Sequence, residues 1–355
     1  MTAGSATRSG MNGARNGAAA GRSAEGDPAS GARGEGLYGA LDLGTNNCRL
    51  LLAEPAPGGF RVVDAFSRIV RLGEGAGSSG RLNESAMRRT IGALRVCANK
   101  LRWWNVSRHR LIATEACRMA LNGPEFLDRV EDELGLRLEI IDRHTEARLA
   151  VAGASPLIDP EAERVLLFDI GGGSTEVSWV AVDRGDYAIE AWTSLPAGVV
   201  TIAERFGGND VTEQMFAEMC GFVRPMVREF ADEVRRVSPH PLPDHILGTS
   251  GTVTTICGVH LDLRRYDRGR VDGCWLTRKD IARVTEELRV MGYAERVRHP
   301  CIGPERADLV LAGCAILVEI LAAWPADRIR VADRGLREGI LTDLMLEDGT
   351  YGRPR

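Results

Sequence analysis

The chain has 355 residues, 44% of them hydrophobic, which suffices for a core in each of two ordinary domains. A net charge of −4 gives no global attraction for a polyanion, so phosphate affinity must come from local groups and no nucleic-acid partner is expected. The eight cysteines (48, 97, 117, 220, 257, 274, 301, 314) form no CxxC pair, which opposes a zinc site or disulfide frame and fits reduced thiols in the cytoplasm.

From Met1 to Gly36 the chain repeats Gly, Ala, Ser and Arg with almost no large apolar side chain, and a disordered tail is expected. Glu25, Asp27 and Glu35 spoil the acid-poor pattern of a transit peptide. Order is expected from Leu37. Tyr38 to Glu54 reads as strand, polar turn and strand, and Phe60 to Leu72 as further extended chain. Gly75 to Gly80 matches GxGxxG literally but lacks the βαβ context of a dinucleotide site, so it reads as a loop. Asn83 is placed to cap a helix through Met87, Ile91, Leu94, Ala98 and Leu101. His109 to Thr114 is a strand, Pro124 opens a helix that Gly135 closes, Leu136 to Ile141 is a strand, and Thr145 caps the next helix.

The second half repeats the plan. Val165 to Asp169 and Glu176 to Asp183 are strands around the turn Gly171 to Thr175, and a helical region covers Thr212 to Val237. His245 to Leu247 is a strand entering the loop Gly248 to Gly251, with a helix behind it. Leu309 to Trp324, interrupted by Glu319, is too short to span a bilayer and reads as a buried helix, so no membrane partner is expected. A strand at Arg328 to Ala332 and a helix at Leu336 to Met345 close the pattern. Strands alternating with helices in both halves predict an α/β protein of two similar domains.

Two segments 127 positions apart carry the functional signal. Leu41-Asp42-Leu43-Gly44-Thr45-Asn46-Asn47 aligns with Phe168-Asp169-Ile170-Gly171-Gly172-Gly173-Ser174, each ahead of an apolar strand. A strand that ends in Asp and turns on Gly places a carboxylate at the mouth of the turn, while small residues beyond it let backbone N–H groups approach a phosphate. Two such hairpins facing one another would grip an oligophosphate, with the aspartates holding a divalent metal. One Asp-x-Gly turn alone is usually just a tight hairpin; two in register are the informative observation.

The loops at Asp42 to Asn47 and Asp169 to Thr175 resemble those of actin, the sugar kinases and the heat-shock chaperone ATPases. The string Phe168-Asp-Ile-Gly-Gly-Gly-Ser-Thr-Glu176 narrows the resemblance to the exopolyphosphatase / guanosine pentaphosphate phosphatase (Ppx/GppA) family. Thr114-Glu-Ala-Cys-Arg118-Met-Ala-Leu-Asn122, Thr145-Glu146-Ala147-Arg148 and Asp333-Arg-Gly-Leu-Arg337-Glu-Gly339 agree with it. The resemblance implies two actin-like (ribonuclease H-like) ATPase domains with an interdomain cleft. They are expected at 37–145 and 146–355, the last helix packing back on the first.

It implies roles as well. Glu146 is the expected general base, and Arg118 resembles a phosphate-binding arginine able to offer bidentate donors. Asp169 and Glu176 resemble the family's metal and water-positioning carboxylates, with Asp42 their counterpart acting through water. Mg²⁺ or Mn²⁺ is the implied cofactor. Gly44, Thr45, Asn46 and Asn47 on one side, and Gly171, Gly172, Gly173, Ser174 and Thr175 on the other, are the expected phosphate cradles. Many members carry Ser where this chain has Asn47. Without the resemblance, Glu146 reads as an acid favourably placed at a helix N-terminus, and Arg118 as a surface charge.

The expected activity is release of terminal orthophosphate from inorganic polyphosphate, with guanosine pentaphosphate (pppGpp) the alternative substrate. A superfamily kinase would need a base aimed at a substrate hydroxyl, and a non-catalytic polyphosphate or nucleotide sensor would have no use for Glu146. The loop Gly248 to Gly251 reads equally as a superfamily nucleotide loop or a plain strand-to-helix turn. The run Arg264-Arg-Tyr-Asp-Arg-Gly-Arg270 reads first as a solvated loop and second as a guide for a long polyanion. The chain stops at Arg355, so any channel for long polymers is expected from the two domains or from a homodimer.

Overall fold

Alternation along the central strands decides which face of each sheet every side chain joins. The computed structural model describes residues 36–106 and 108–353, so the tail expected over 1–36 lies outside the described residues but for Gly36. In β1 (Tyr38–Leu43), Leu41 and Leu43 are buried on one face and Tyr38 and Ala40 on the other, because helices cover both. β2 (Asn47–Ala56) and β3 (Gly59–Ile69) extend the sheet antiparallel to β1 and β2 in turn. β4 (Arg108–Ala113) and β5 (Glu139–Ile140) extend it in parallel, giving the order β3-β2-β1-β4-β5. β5 is shorter than the expected Leu136 to Ile141, since Leu136 and Leu138 enter the core beneath the neighbouring helices.

The helices of this half are α1 (Ala76–Ser79), α2 (Glu84–Trp103), α3 (Glu115–Met119), α4 (Gly123–Leu134) and α5 (Arg143–Ala154). α1 is a single turn inside the expected glycine loop. Asn83 caps α2 by accepting the Ala86 N–H at 2.7 Å. Asp142, not Thr145, caps α5: its carboxylate accepts the Thr145 N–H at 2.7 Å, and Glu146 stands in the first turn.

The second half contains β6 (Arg164–Ile170), β7 (Thr175–Asp183), β8 (Asp186–Leu195), α6 (Val199–Phe206) and α7 (Glu213–Val237). It continues through β9 (His245–Thr249), α8 (Gly251–His260), α9 (Arg268–Val271), β10 (Trp275–Thr277), α10 (Arg278–Val290) and α11 (Tyr293–Arg298). α12 (Val310–Ala323), β11 (Arg328–Ala332) and α13 (Leu336–Glu347) complete it, and its sheet order is β10-β11-β9-β6-β7-β8. α12 is the expected buried helix, and its Glu319 is 6% exposed and held by Arg224 of α7 at 2.9 and 3.0 Å.

The duplication is visible in backbone detail. Asp42 faces Arg49 across β1–β2, and Asp169 faces Glu176 across β6–β7. The Gly44 N–H closes its turn on Asn47 O, and Gly171 N–H closes on Ser174 O, both at 2.9 Å. The register shifts at Leu52/Ala53 in one sheet and at Trp179/Val180 in the other. Every one of these pairs differs by 127 positions.

α2 and α4 cover the outer face of the first sheet, and α7, α8, α10 and α12 that of the second. Between the sheets the helices are exchanged. α13, last in the chain, packs Ile340, Leu341 and Leu344 against Tyr38, Ala40 and Leu51 of the first sheet. α5 packs Ala150, Val151 and Ala154 against Val165, Leu167 and Val180 of the second. Where they cross, a Cβ on Gly153 would overlap the Gly335 carbonyl, and one on Gly339 the Leu149 carbonyl. By strand parity Asp42 shares the face of Tyr38 and Ala40, and Asp169 that of Val165 and Leu167, so both aspartates belong to the inner faces. Among the described residues no helix is long and apolar enough to cross a membrane.

Candidate active site

At the C-terminal ends of β1 and β6 the two sheets bound a cavity of about 920 Å³. Asp42, Gly44 to Asn47 and Arg49 line it from the first sheet, Asp169, Gly171 to Ser174 and Glu176 from the second, and Glu146 from α5. The tips of the two hairpins nearly touch. A Cβ on Gly172 would stand 3.0 Å from Thr45 Cβ, so glycine there is what permits the approach.

Backbone donors are left over at matching positions. Among the described residues the N–H groups of Thr45 and Asn46, and those of Gly172 and Gly173, donate no hydrogen bond. Such pairs at the turn of a hairpin form a concavity suited to an anion. The hydroxyls of the second hairpin are engaged: Thr175 Oγ1 donates to Ala197 O at 2.6 Å and Ser174 Oγ to Glu176 Oε1 at 2.7 Å. Thr175 is fully buried and does not line the cavity. Phosphate contact from this turn therefore falls to backbone rather than to these side chains.

The Arg118 guanidinium is not on the cavity wall but beneath Glu146. Its Nη2 donates to Glu146 Oε2 at 3.0 Å, its Nη1 to Ile141 O at 2.6 Å, and its Nε to Glu115 Oε2 at 3.1 Å. Arg143 takes the other Glu115 oxygen at 2.9 Å. Burial would raise the Glu115 carboxyl, yet Arg143 and Arg118 together hold it below the usual range.

The cavity carboxylates are shifted the other way. Burial, reinforced by the Glu176 charge, pushes Glu146 well above the ordinary range against the pull of Arg118. The same two causes push Asp169 up to about 7. Burial raises Asp42, and raises Glu176 despite the Ser174 and Ser194 hydroxyls. Crowded acids of this kind suit a hard cation. Asn46 Oδ1 and Asn47 Oδ1 are buried acceptors with no hydrogen-bond partner among the described residues. Among the described residues no group of three or more His, Cys, Asp or Glu forms a metal cage. A cation here would complete its shell with water and substrate oxygens, the usual habit of Mg²⁺.

Residues 51–348 match the model of the Ppx/GppA phosphatase family. The chain belongs to that family. It is 31% identical to Exopolyphosphatase 2 of Mycobacterium tuberculosis over 319 residues, covering 86% of this chain and 97% of the relative. It is 27% identical over 310 residues to the guanosine-5'-triphosphate,3'-diphosphate pyrophosphatase of Aeromonas hydrophila, covering 87% of this chain and 59% of that one. The crystal structure of the Aquifex aeolicus Ppx/GppA family member superimposes with a TM-score of 0.72 at 30% identity, over 88% of this chain and 98% of that one. An exopolyphosphatase from Cytophaga hutchinsonii gives 0.79 at 24% identity over 89% and 99%, and shares the fold. The fold is thus the actin-like, two-sheet architecture of the Ppx/GppA proteins, as the sequence implied.

Within this Ppx/GppA frame the sequence reading overlooked Arg49, Glu115, Arg143 and Arg337. Arg49 was within reach: it stands 127 positions before Glu176, so the two hairpins carry opposite charges at one equivalent place. Arg337 lies inside a segment the resemblance rests on; it lines the cavity, with burial pulling its guanidinium down. Glu115 lines the cavity and holds both Arg118, three residues on along α3, and Arg143 of α5; the i,i+3 spacing of the first pair could have been read locally, the contact with Arg143 could not. The loop after β9 reaches the cavity through Ser250, Gly251 and Thr252.

Proposed function

We propose that this chain is an exopolyphosphatase, releasing orthophosphate from the end of inorganic polyphosphate. The observation that carries the reading is the pair of matched, donor-bearing hairpins closing on one cavity beside Glu146, in a chain whose Mycobacterium relative bears that name. The terminal phosphate would sit between the N–H groups of Thr45 and Asn46 and those of Gly172 and Gly173. Glu146, held by Arg118, accepts a proton from water; the water oxygen bonds to the terminal phosphorus in line with the anhydride oxygen, whose bond breaks. Orthophosphate departs and the shortened chain keeps the bridging oxygen as an oxyanion.

Asp169 and Glu176 would hold a divalent cation, Mg²⁺ or Mn²⁺, with Asp42 acting through water. Bound there, the cation supplies neutralisation of phosphate charge. We divide the chain into working halves at 37–145 and 146–355, tied by the exchanged helices α5 and α13. Eight free thiols, seven of them buried, support a reducing, cytoplasmic setting.

The Aeromonas relative's name favours pppGpp as a second reading for the same chemistry. Phosphate release from tripolyphosphate, long-chain polyphosphate, pppGpp and ATP, by the wild type and by Glu146→Gln, separates the readings. Turnover of polyphosphate that Glu146→Gln abolishes is expected. Turnover confined to pppGpp selects the second reading, and undiminished turnover by the variant overturns both.

A further inference from the structure

The basic run 264–270, which leads from the loop after α8 into α9, is pinned to the cavity at two of its residues. Tyr266 and Arg268 line it: Tyr266 Oη donates to Asp333 Oδ2 at 2.7 Å, and Arg268 Nη2 to Asp333 O at 2.7 Å and Glu338 Oε1 at 2.9 Å. The other arginines of the run are not so engaged. Arg264, Arg265 and Arg270 are exposed, and among the described residues none forms a hydrogen bond or ion pair with an acid. Asp267, the acid in their midst, is spent on capping α9 by accepting the Gly269 N–H at 3.0 Å. Three exposed guanidinium groups without an acidic partner thus flank, in sequence, the two residues of the run that line the cavity, in a protein whose net charge is −4.

The cavity is finite, about 920 Å³, whereas the substrate proposed above is a linear polymer of repeating negative charge. With its terminal unit beside Glu146, the remainder must leave over a rim. Exposed guanidinium groups next to residues that line the cavity lower the electrostatic energy of an emerging polyanion, and Arg337 and Arg268 line the cavity itself. We propose that Arg264, Arg265 and Arg270 form an outer phosphate rail that holds the distal units of long polyphosphate and so sets chain-length preference. The inference rests on the polyphosphate reading of the site and deepens it. The rail touches no reacting atom, so it contributes to binding of long chains and not to the chemical step.

The test compares the wild type with a triple variant, Arg264→Glu, Arg265→Glu and Arg270→Glu, on long-chain polyphosphate and on tripolyphosphate across a salt series. The rail predicts a KM for the long chain raised about 10-fold or more at low ionic strength, a difference that salt erases, with kcat and the tripolyphosphate constants unchanged. Unchanged tripolyphosphate kinetics also report an intact fold, and the Lys triple variant should restore most of the long-chain affinity. Equal effects on both substrates, or none on either, overturn the rail. So does a variant that loses single-stranded DNA binding while its long-chain KM stays put, because the run is then a nucleic-acid surface. If the wild type releases no phosphate from either polyphosphate, the reading of the active site has failed, and the rail with it.

Discussion

Arg118 Nη2 lies 3.0 Å from Glu146 Oε2, and the same Nη2, together with Nε, also donates to Glu115 Oε2. The arginine thus steadies the carboxylate proposed as base and offsets part of what burial and Glu176 do to it. Replacing Arg118 with Met leaves that carboxylate buried beside another acid with no counter-charge, so its pKa rises further. The acid limb of kcat/KM is expected to move to higher pH, with activity at fixed pH below the limb falling about tenfold for each unit. pH–rate profiles of both proteins check this; an unmoved limb would mean that another group titrates.

Glu146→Gln keeps the shape of the side chain and removes its capacity to take a proton. The expected loss in kcat is about 10²- to 10⁴-fold, the usual contribution of a positioned base. Binding should survive, because the hairpin N–H groups and the carboxylates across the cavity are untouched. Titration of the variant with labelled polyphosphate checks the second half of the expectation, and a lost affinity would assign Glu146 to substrate binding.

The raised carboxylates make metal-free stability depend on pH in a definite direction. Asp169 titrates near 3.8 when unfolded and near 7 in the fold. Between those values the folded chain keeps a proton that the unfolded chain has released, so stability falls as pH rises through that window. Asp42, Glu146 and Glu176 are raised too and act with the same sign. Each unit is worth about 1.4 kcal/mol. In chelator, Tm should drop from pH 5 toward neutrality, and Mg²⁺ should restore it at pH 7.5 by binding the ionised site. Asp169→Asn should flatten the pH dependence and weaken the Mg²⁺ response. A Tm indifferent to both pH and Mg²⁺ would remove the case for a cation here.

What could be read from the sequence follows the range of the interaction involved. Asn83, Gly135 and Thr212 end helices through contacts within a few residues, and so do the Asp-led hairpins, whose turns close on themselves. Glu146 carried no such local mark: as a first-turn acid it looked like any dipole-pairing residue, and only the family resemblance singled it out. Thr145 was mistaken for a cap because Asp142, three residues earlier, was free to do the same work with a stronger acceptor. Arg118 reads as a phosphate ligand until Glu115, on the same face of α3, is seen to claim its Nε. The return of the last helix to the first domain was expected through the family resemblance alone; the close packing of α5 on α13 left no local mark, since it joins residues nearly two hundred positions apart.

That exchange is held by glycine. Gly153 and Gly339 have no room for a methyl group, because backbone carbonyls of the opposing helix occupy the place of each Cβ. Gly92 in α2 makes a matched control: nothing lies within 4 Å of its Cβ position. Gly92→Ala should stabilise by roughly 0.5–1 kcal/mol, the helical preference for Ala. Gly153→Ala and Gly339→Ala should destabilise by about 1–3 kcal/mol or more, since rigid backbone on both sides must move apart. Because α5 carries Glu146 at its start and α13 begins beside Arg337, separation of the helices displaces the active site as well. Both crossing variants should lose kcat even where thermal unfolding shows them folded, and Gly92→Ala should not. Crossing variants that match the wild type in Tm and kcat would show that the two helices part without cost.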